Sequence, residues 1–187
     1  MKLAVPKPKP AIEPSRKNWT DKAIVGLIAV LLLALGSVIV VSMRETVVQA
    51  GDRAPQFSVT TDKGLRITPT DFGGKVLVLV FWAAWCAPCV EEMPSLDQFS
   101  RDMADSGVVV LGVSVDRNEK LYTNLLKRFR VPFQNVRDPD ANISAQYGTY
   151  KYPESYIIDR SGKVAQKIIG PQDWNDPVLR NYVKSLL

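Results

Sequence analysis

The chain reads as an α/β domain, a mixed sheet flanked by helices, preceded by a small N-terminal hairpin and a single transmembrane helix. Three observations lead there. Two continuous apolar runs, VLVLVFW from Val76 and VVVLGVSVD over residues 108–116, are separated by a helical pattern, as in parallel strands buried on both faces and joined by a crossover. SYIID (155–159) and KVAQKII (163–169) flank the turn Arg160-Ser161-Gly162 and predict an antiparallel hairpin. AIVGLIAVLLLALGSVIVVSM, residues 23–43, carries no charge over 21 positions. As a helix rising 1.5 Å per residue it spans about 32 Å, against a hydrocarbon core of about 30 Å.

Residues 1–22 hold Lys2, Lys7, Lys9, Arg16, Lys17 and Lys22 against Glu13 and Asp21, with Pro6, Pro8, Pro10 and Pro14 among them. They read as a disordered basic tail. The flank after the apolar run offers Arg44 balanced by Glu45, so the positive-inside bias keeps the tail in the cytoplasm and exports everything beyond Arg44. A cleaved signal peptide is the alternative, with Val48-Gln49-Ala50 as the cleavage site, but its apolar stretch is usually about 7–15 residues, and the longer run here favours a retained anchor. Although the net charge is +5, the exported part has a balance of only +1. No nucleic-acid or polyanion partner is indicated.

Residues 44–52 read as a tether and 53–187 as the folded unit. Within it, 56–59 and 65–68 form the small hairpin around Asp62-Lys63-Gly64, and Asp71-Phe72-Gly73-Gly74 is a second turn. The strand from Val76 follows, then a helix from Cys86 to about residue 106, the strand 108–116, and a helix over 118–130 capped by Asn118. Asp176-Pro177 opens a last helix that runs to Leu187, with proline in its first turn.

Cys86 and Cys89 are the only cysteines, and there is no histidine. Two thiols two residues apart at the first turn of a helix can close and reopen a short disulfide, which stores two electrons. A four-residue loop makes a poor structural staple, since chain-entropy accounts reserve about 3 kcal/mol for loops near 15 residues. A structural zinc site needs about four Cys or His ligands. Copper(I) held by two thiolates remains as an alternative, a non-catalytic carrier using the same pair. A peroxidase would place Thr three residues before the reactive cysteine, where Ala83 stands.

WCAPC, followed by Glu92, Pro94 and Leu96, and then YPESYIIDRSGKV over 152–164, resembles the thioredoxin-like fold and within it the membrane-anchored TlpA, ResA and DsbE group. The resemblance covers residues 51–187. It implies an exported thiol-disulfide oxidoreductase anchored in the bacterial inner membrane, single-pass, with its C-terminal domain facing the periplasm or cell exterior. It also implies no cofactor and no metal. The substrates it implies are exported protein disulfides, such as the haem-attachment site of an apocytochrome c or a copper-site dithiol. Electrons would come from a membrane donor of the DsbD or CcdA type, because cytosolic thioredoxin cannot reach that compartment.

The same resemblance distributes roles. Cys86, at the positive end of the helix, would be the attacking thiolate, and Cys89, one turn inside, the shielded resolving thiol. Ala87 and Pro88 form the dipeptide between them. Pro94 reads as a structural helix-bending proline. The acid of thioredoxin itself, six residues before the first cysteine, is replaced here by Val80. Glu92, on the same helix face as Cys89, is the implied proton acceptor, the alternative being an exposed carboxylate like Glu91. Trp85 is read as an apolar platform over the dithiol and Trp82 as core. Tyr152-Pro153 matches the group's cis-proline loop, which leaves the backbone N–H and carbonyl of Tyr152 for an extended substrate; the alternative is a trans proline entering an edge strand.

Overall fold

The computed structural model describes residues 17–42, 47–62, 64, 66–68 and 74–187. The chain divides into two compact units, Met1–Glu45 and Thr46–Leu187. In the first, the described residues form one helix, α1 (Lys17–Ser42), which starts before the apolar run because Lys17 to Lys22 include no helix breaker. Its stretch Trp19–Ile39 has a mean hydropathy of 2.5, none of it buried, and is long and apolar enough to cross a membrane. The Ser37 hydroxyl donates to the Ala34 carbonyl at 2.7 Å, so this polar group is satisfied within its own helix.

The second unit is built on a five-stranded sheet. Its centre is β3 (Val76–Trp82), seven residues buried along their whole length. β4 (Val108–Ser114) pairs with it in parallel, from Val76 opposite Val108 to Trp82 opposite Ser114. β6 (Glu154–Ile158) pairs with its other edge antiparallel, from Leu77 opposite Ile158 to Phe81 opposite Glu154. β5 (Gln134–Arg137) adds in parallel outside β4, and β7 (Val164–Ile169) adds antiparallel outside β6, giving the order β5-β4-β3-β6-β7.

Strand alternation sends the side chains of β3 into two cores. Val76, Val78, Val80 and Trp82 meet Met93, Leu96 and Phe99 of α2 (Ala87–Met103), Tyr122 and Leu125 of α3 (Glu119–Phe129), and Val183 of α5 (Pro177–Ser185). Leu77, Leu79 and Phe81 meet Ile143 of α4 (Asn142–Gln146), Tyr147, Tyr156 and the N-terminal segment of the unit. A short 3-10 turn, Ala104–Ser106, follows α2, and Asn118 caps α3 by accepting from the Lys120 and Leu121 N–H groups at 3.0 and 3.3 Å.

Several boundaries differ from the sequence expectation. The small hairpin consists of β1 (Val59–Thr60) and β2 (Arg66–Ile67), shorter and shifted because Phe57 is drawn into the core against Tyr147 at 6.4 Å. Gly64, with φ +77°, makes the turn. Lys63, Leu65 and Asp71 to Gly73, parts of the two expected turns, lie outside the described residues. The region read as a tether is partly built in: Val48 is buried and donates to the Tyr147 carbonyl at 3.1 Å, and Gly51 donates to the Val164 carbonyl at 2.8 Å. β5 and α4 were not expected; both are short and polar, without a clear hydrophobic period.

The end of β3 is held tightly. The Trp82 indole N–H donates to Asn135 Oδ1 at 3.2 Å, and its ring stacks on Tyr122 with centroids 5.8 Å apart. Gly112 makes room for this pair: a Cβ there would stand 2.1 Å from Asn135 Oδ1 and 2.9 Å from Trp82 Nε1. Gly112→Ala is therefore expected to lower stability by about 1–3 kcal/mol, as overpacked interiors do. Urea denaturation checks this, and an unchanged midpoint would show that Asn135 yields without loss.

Candidate active site

Helix α2 starts where β3 ends. Cys86 is its N-cap, in an extended conformation with φ −90° and ψ 101°, and its Sγ accepts the Cys89 N–H at 3.3 Å. The two cysteines are joined as a disulfide with Cα atoms 5.3 Å apart. The turn leading to them is pinned twice: Cys86 N–H donates to the Ala83 carbonyl at 3.1 Å, and Ala84 N–H donates to Asp116 Oδ2 at 2.8 Å. Asp116 is buried and also accepts from the Ser114 hydroxyl at 2.7 Å. Cys86 is 6% exposed and Cys89 2%, so the N-cap cysteine is the more accessible of two well-covered residues. The unpaired N–H groups of the first turn favour negative charge at that end of the helix.

Beside the dithiol in sequence stands an exposed aromatic side chain. Trp85 is 63% exposed and meets Tyr152 edge to face at 6.0 Å. Ala87 is exposed and Pro88, in the first turn of α2, half-buried. The Tyr152-Pro153 bond is cis. Because β6 runs antiparallel to β3, its first residue Glu154 lies opposite Phe81, which brings Pro153 to the same end of the sheet as Cys86. Among the described residues, no hydrogen bond takes up the backbone N–H or carbonyl of Tyr152. Trp82, by contrast, is entirely core.

Glu92 is buried, while Glu91 beside it is exposed. Val80, at the position of thioredoxin's own acid, is buried core. The Trp174 indole N–H donates to Glu92 Oε1, and Oε2 has no hydrogen-bond partner among the described residues. Burial pushes the Glu92 carboxyl up from its ordinary 4.5 to about 7, against the weaker downward pull of the Trp174 indole and the Gln172 backbone. Sequence reasoning missed Trp174, which follows Gly170-Pro171 outside any periodic pattern. It also missed a buried pair beyond the cis proline: Lys167 Nζ lies 3.0 Å from Glu154 Oε1, which also accepts from the Tyr156 and Thr149 hydroxyls. The one available signal was a charge inside one strand-like run, Lys167, and another at the start of its partner, Glu154. Among the described residues no group of three or more metal-ligating side chains stands together.

The model of the AhpC/TSA family matches residues 50–167. This chain belongs to the AhpC/TSA family. Among curated relatives, the thiol-disulfide oxidoreductase ResA of Bacillus thuringiensis subsp. konkukian is 33% identical over 143 residues, covering 76% of this chain and 82% of the relative. The thioredoxin-like protein YneN of Bacillus subtilis is 33% identical over 131 residues, 69% of this chain and 76% of its own. Among solved structures, a thiol:disulfide interchange protein of the thioredoxin family from Chlorobium tepidum superposes with a TM-score of 0.64 at 28% identity, covering 73% of this chain and 96% of that one. The fold of this AhpC/TSA member is thus the thioredoxin-like one that WCAPC and YPESYIID implied. The protein is a thiol-disulfide oxidoreductase of the ResA and DsbE type with a close Cys86 and Cys89 pair, acting on protein dithiols and disulfides.

The raised Glu92 value has a thermodynamic consequence with a definite sign. Between about pH 4.5 and 7 the folded protein binds more protons than the unfolded chain, so stability falls as pH rises through that window. The fall attributable to this carboxyl is about 3 kcal/mol. Glu92→Gln, which keeps an acceptor for Trp174, is expected to remove that fall in the oxidised protein. Urea denaturation from pH 4.5 to 8 measures it; equal pH slopes for wild type and variant would overturn the assignment.

Proposed function

We propose that this protein is an extracytoplasmic reductant of protein disulfides, working through Cys86-Ala87-Pro88-Cys89. Residues 1–22 lie in the cytoplasm, 23–43 cross the bacterial inner membrane, and the catalytic domain faces the periplasm or cell exterior. The observation that carries the reading is the dithiol at the N-terminus of α2 with a buried carboxyl, Glu92, one turn beyond Cys89. In the reduced enzyme the Cys86 thiolate attacks one sulfur of a substrate disulfide. That S–S bond breaks, one substrate sulfur leaves as a thiolate, and the other is held on Cys86. Cys89 then gives its proton to Glu92 and attacks Cys86 Sγ, and the second substrate sulfur departs. Two electrons have passed to the substrate, and the Cys86/Cys89 disulfide remains.

Trp85 and Tyr152 form the apolar wall of the substrate groove, with Ala87 and Pro88 as its floor. The unpaired backbone groups of Tyr152, beside Pro153, pair with the substrate as an added strand. The substrates are apocytochrome c haem-attachment disulfides or copper-site disulfides. A membrane donor of the DsbD or CcdA type returns the electrons. These assignments are supported by the ResA relatives, the apolar helix and the acid beside the resolving thiol.

Two experiments test the reading. Cys89→Ser is expected to accumulate reductant-sensitive adducts with exported proteins, while Cys86→Ser traps almost none; mass spectrometry of the adducts names the substrate, and equal trapping by both variants would refute the division of roles. A reporter active only outside the cytoplasm, fused after Leu187, is expected to work, with the protein retained in membranes after alkaline wash. Release of a soluble fragment beginning near Gly51 would replace the anchor by a cleaved signal.

A further inference from the structure

The connection between β7 and α5, residues 170–176, covers Glu92 and is fastened at several points. Gly170 N–H donates to the Pro153 carbonyl at 2.9 Å. Trp174 N–H donates to Ser95 Oγ on α2 at 3.2 Å, and the Trp174 carbonyl accepts from Arg180 Nε on α5 at 3.2 Å. Arg180 is itself held by Asp102 at 2.5 Å. The Trp174 ring is fully buried and tilts against Phe99 with centroids 5.3 Å apart. An indole fixed from both sides of its backbone and along its ring has little freedom to leave the carboxyl that its N–H reaches.

The two oxygens of Glu92 are therefore unequal. Oε1 is occupied by the indole, and Oε2 is buried without a partner. A neutral carboxyl offers the indole its stronger, carbonyl-type acceptor at Oε1 when its proton sits on Oε2, since a protonated Oε1 would accept the N–H only weakly. We propose that Trp174 is a positioning residue for Glu92: its indole N–H holds Oε1, so that the proton taken from Cys89 is carried on Oε2. This rests on the reading of Glu92 as proton acceptor.

The charged and titratable groups around Glu92 leave the indole as its main polar control. On the covering segment, Asp173 is exposed and turned to the Asn175 N–H, and Asp176 is exposed and caps α5. On α5, Arg180 is engaged by Asp102; on α2, Glu91 is exposed and the remaining titratable neighbours are the two thiols of the reduced enzyme. Removing the indole N–H takes away a donor that binds the ionised carboxylate more strongly than the neutral carboxyl, so the carboxyl becomes harder to ionise.

The test uses the full-length protein in detergent micelles, reduced and mixed with insulin in single turnover from pH 6 to 9. Glu92→Gln is expected to flatten the rise of rate with pH. Trp174→Phe is expected to move its midpoint up by about one unit, a loss of about fivefold at pH 7 that disappears toward pH 9. A uniform loss at every pH, or an unmoved midpoint, would overturn the proposal and leave Trp174 a packing residue. If Glu92→Gln matches wild type throughout, the proton-acceptor reading fails, and the role of Trp174 fails with it. Should Trp174→Phe not fold, the indole N–H resonance of Trp174 decides: it should titrate near pH 7 in wild type and stay constant in Glu92→Gln. A resonance indifferent to pH in wild type would sink the idea.

Discussion

A strand with no solvent-facing side and a neighbour on each edge is the constraint on which this molecule depends. β3 has nowhere to slip: a one-residue change of register would exchange its two cores, sending Trp82 toward Tyr147 and Phe81 toward Tyr122. Its last residue is clamped by Asn135 and Tyr122, so the point at which the chain leaves the sheet is set. The site is assembled at that end. Parallel pairing of β4 delivers Asp116 to the turn before Cys86, and antiparallel pairing of β6 delivers Pro153 from the other side. Strand direction alone thus brings together residues more than sixty positions apart in sequence.

Among the described residues, the buried carboxylates near this end include three that are treated differently. Asp116 accepts from a backbone N–H and a hydroxyl and so fixes the turn into α2. Glu154 faces the ammonium of Lys167 and the Tyr156 hydroxyl on the opposite face of the sheet. Glu92 has no cation beside it, only the neutral indole and the weaker pull of the Gln172 backbone, and its proton affinity rises into the neutral range. Desolvation outweighs these neutral donors here. In a chain without histidine, a carboxyl of this kind supplies the near-neutral titration that an imidazole ordinarily provides.

How much of this could be read from residues alone follows from what each signal depends on. Long apolar runs with turn residues at their ends depend on local pattern, and the strands β3, β4, β6 and β7 were legible for that reason. The dithiol was legible because WCAPC carries its spacing in five consecutive residues. β5 was not, since Gln134-Asn135-Val136-Arg137 gains its strand character only from the edge of β4. That Glu92 is buried rather than exposed like Glu91 could be argued only from helix spacing. What buries it, Trp174, is 82 positions away, and nothing in GPQDW marks that contact in advance. The partial inclusion of the expected tether has the same origin: Val48 finds its partner in Tyr147.

Surface connections normally accept insertions and deletions, because their ends are free to adjust. The segment 170–176 is an exception. Gly170, at φ +98° where other residues are strained, is tied to the Pro153 carbonyl, and Trp174, four positions on, is tied to α2 and α5. The number of residues between the two ties sets the spacing between the cis-proline loop and the indole on Glu92. Length, rather than the identity of Pro171, Gln172 or Asp173, is what this stretch has to conserve. A segment that looks like an ordinary loop behaves as a spacer of fixed gauge.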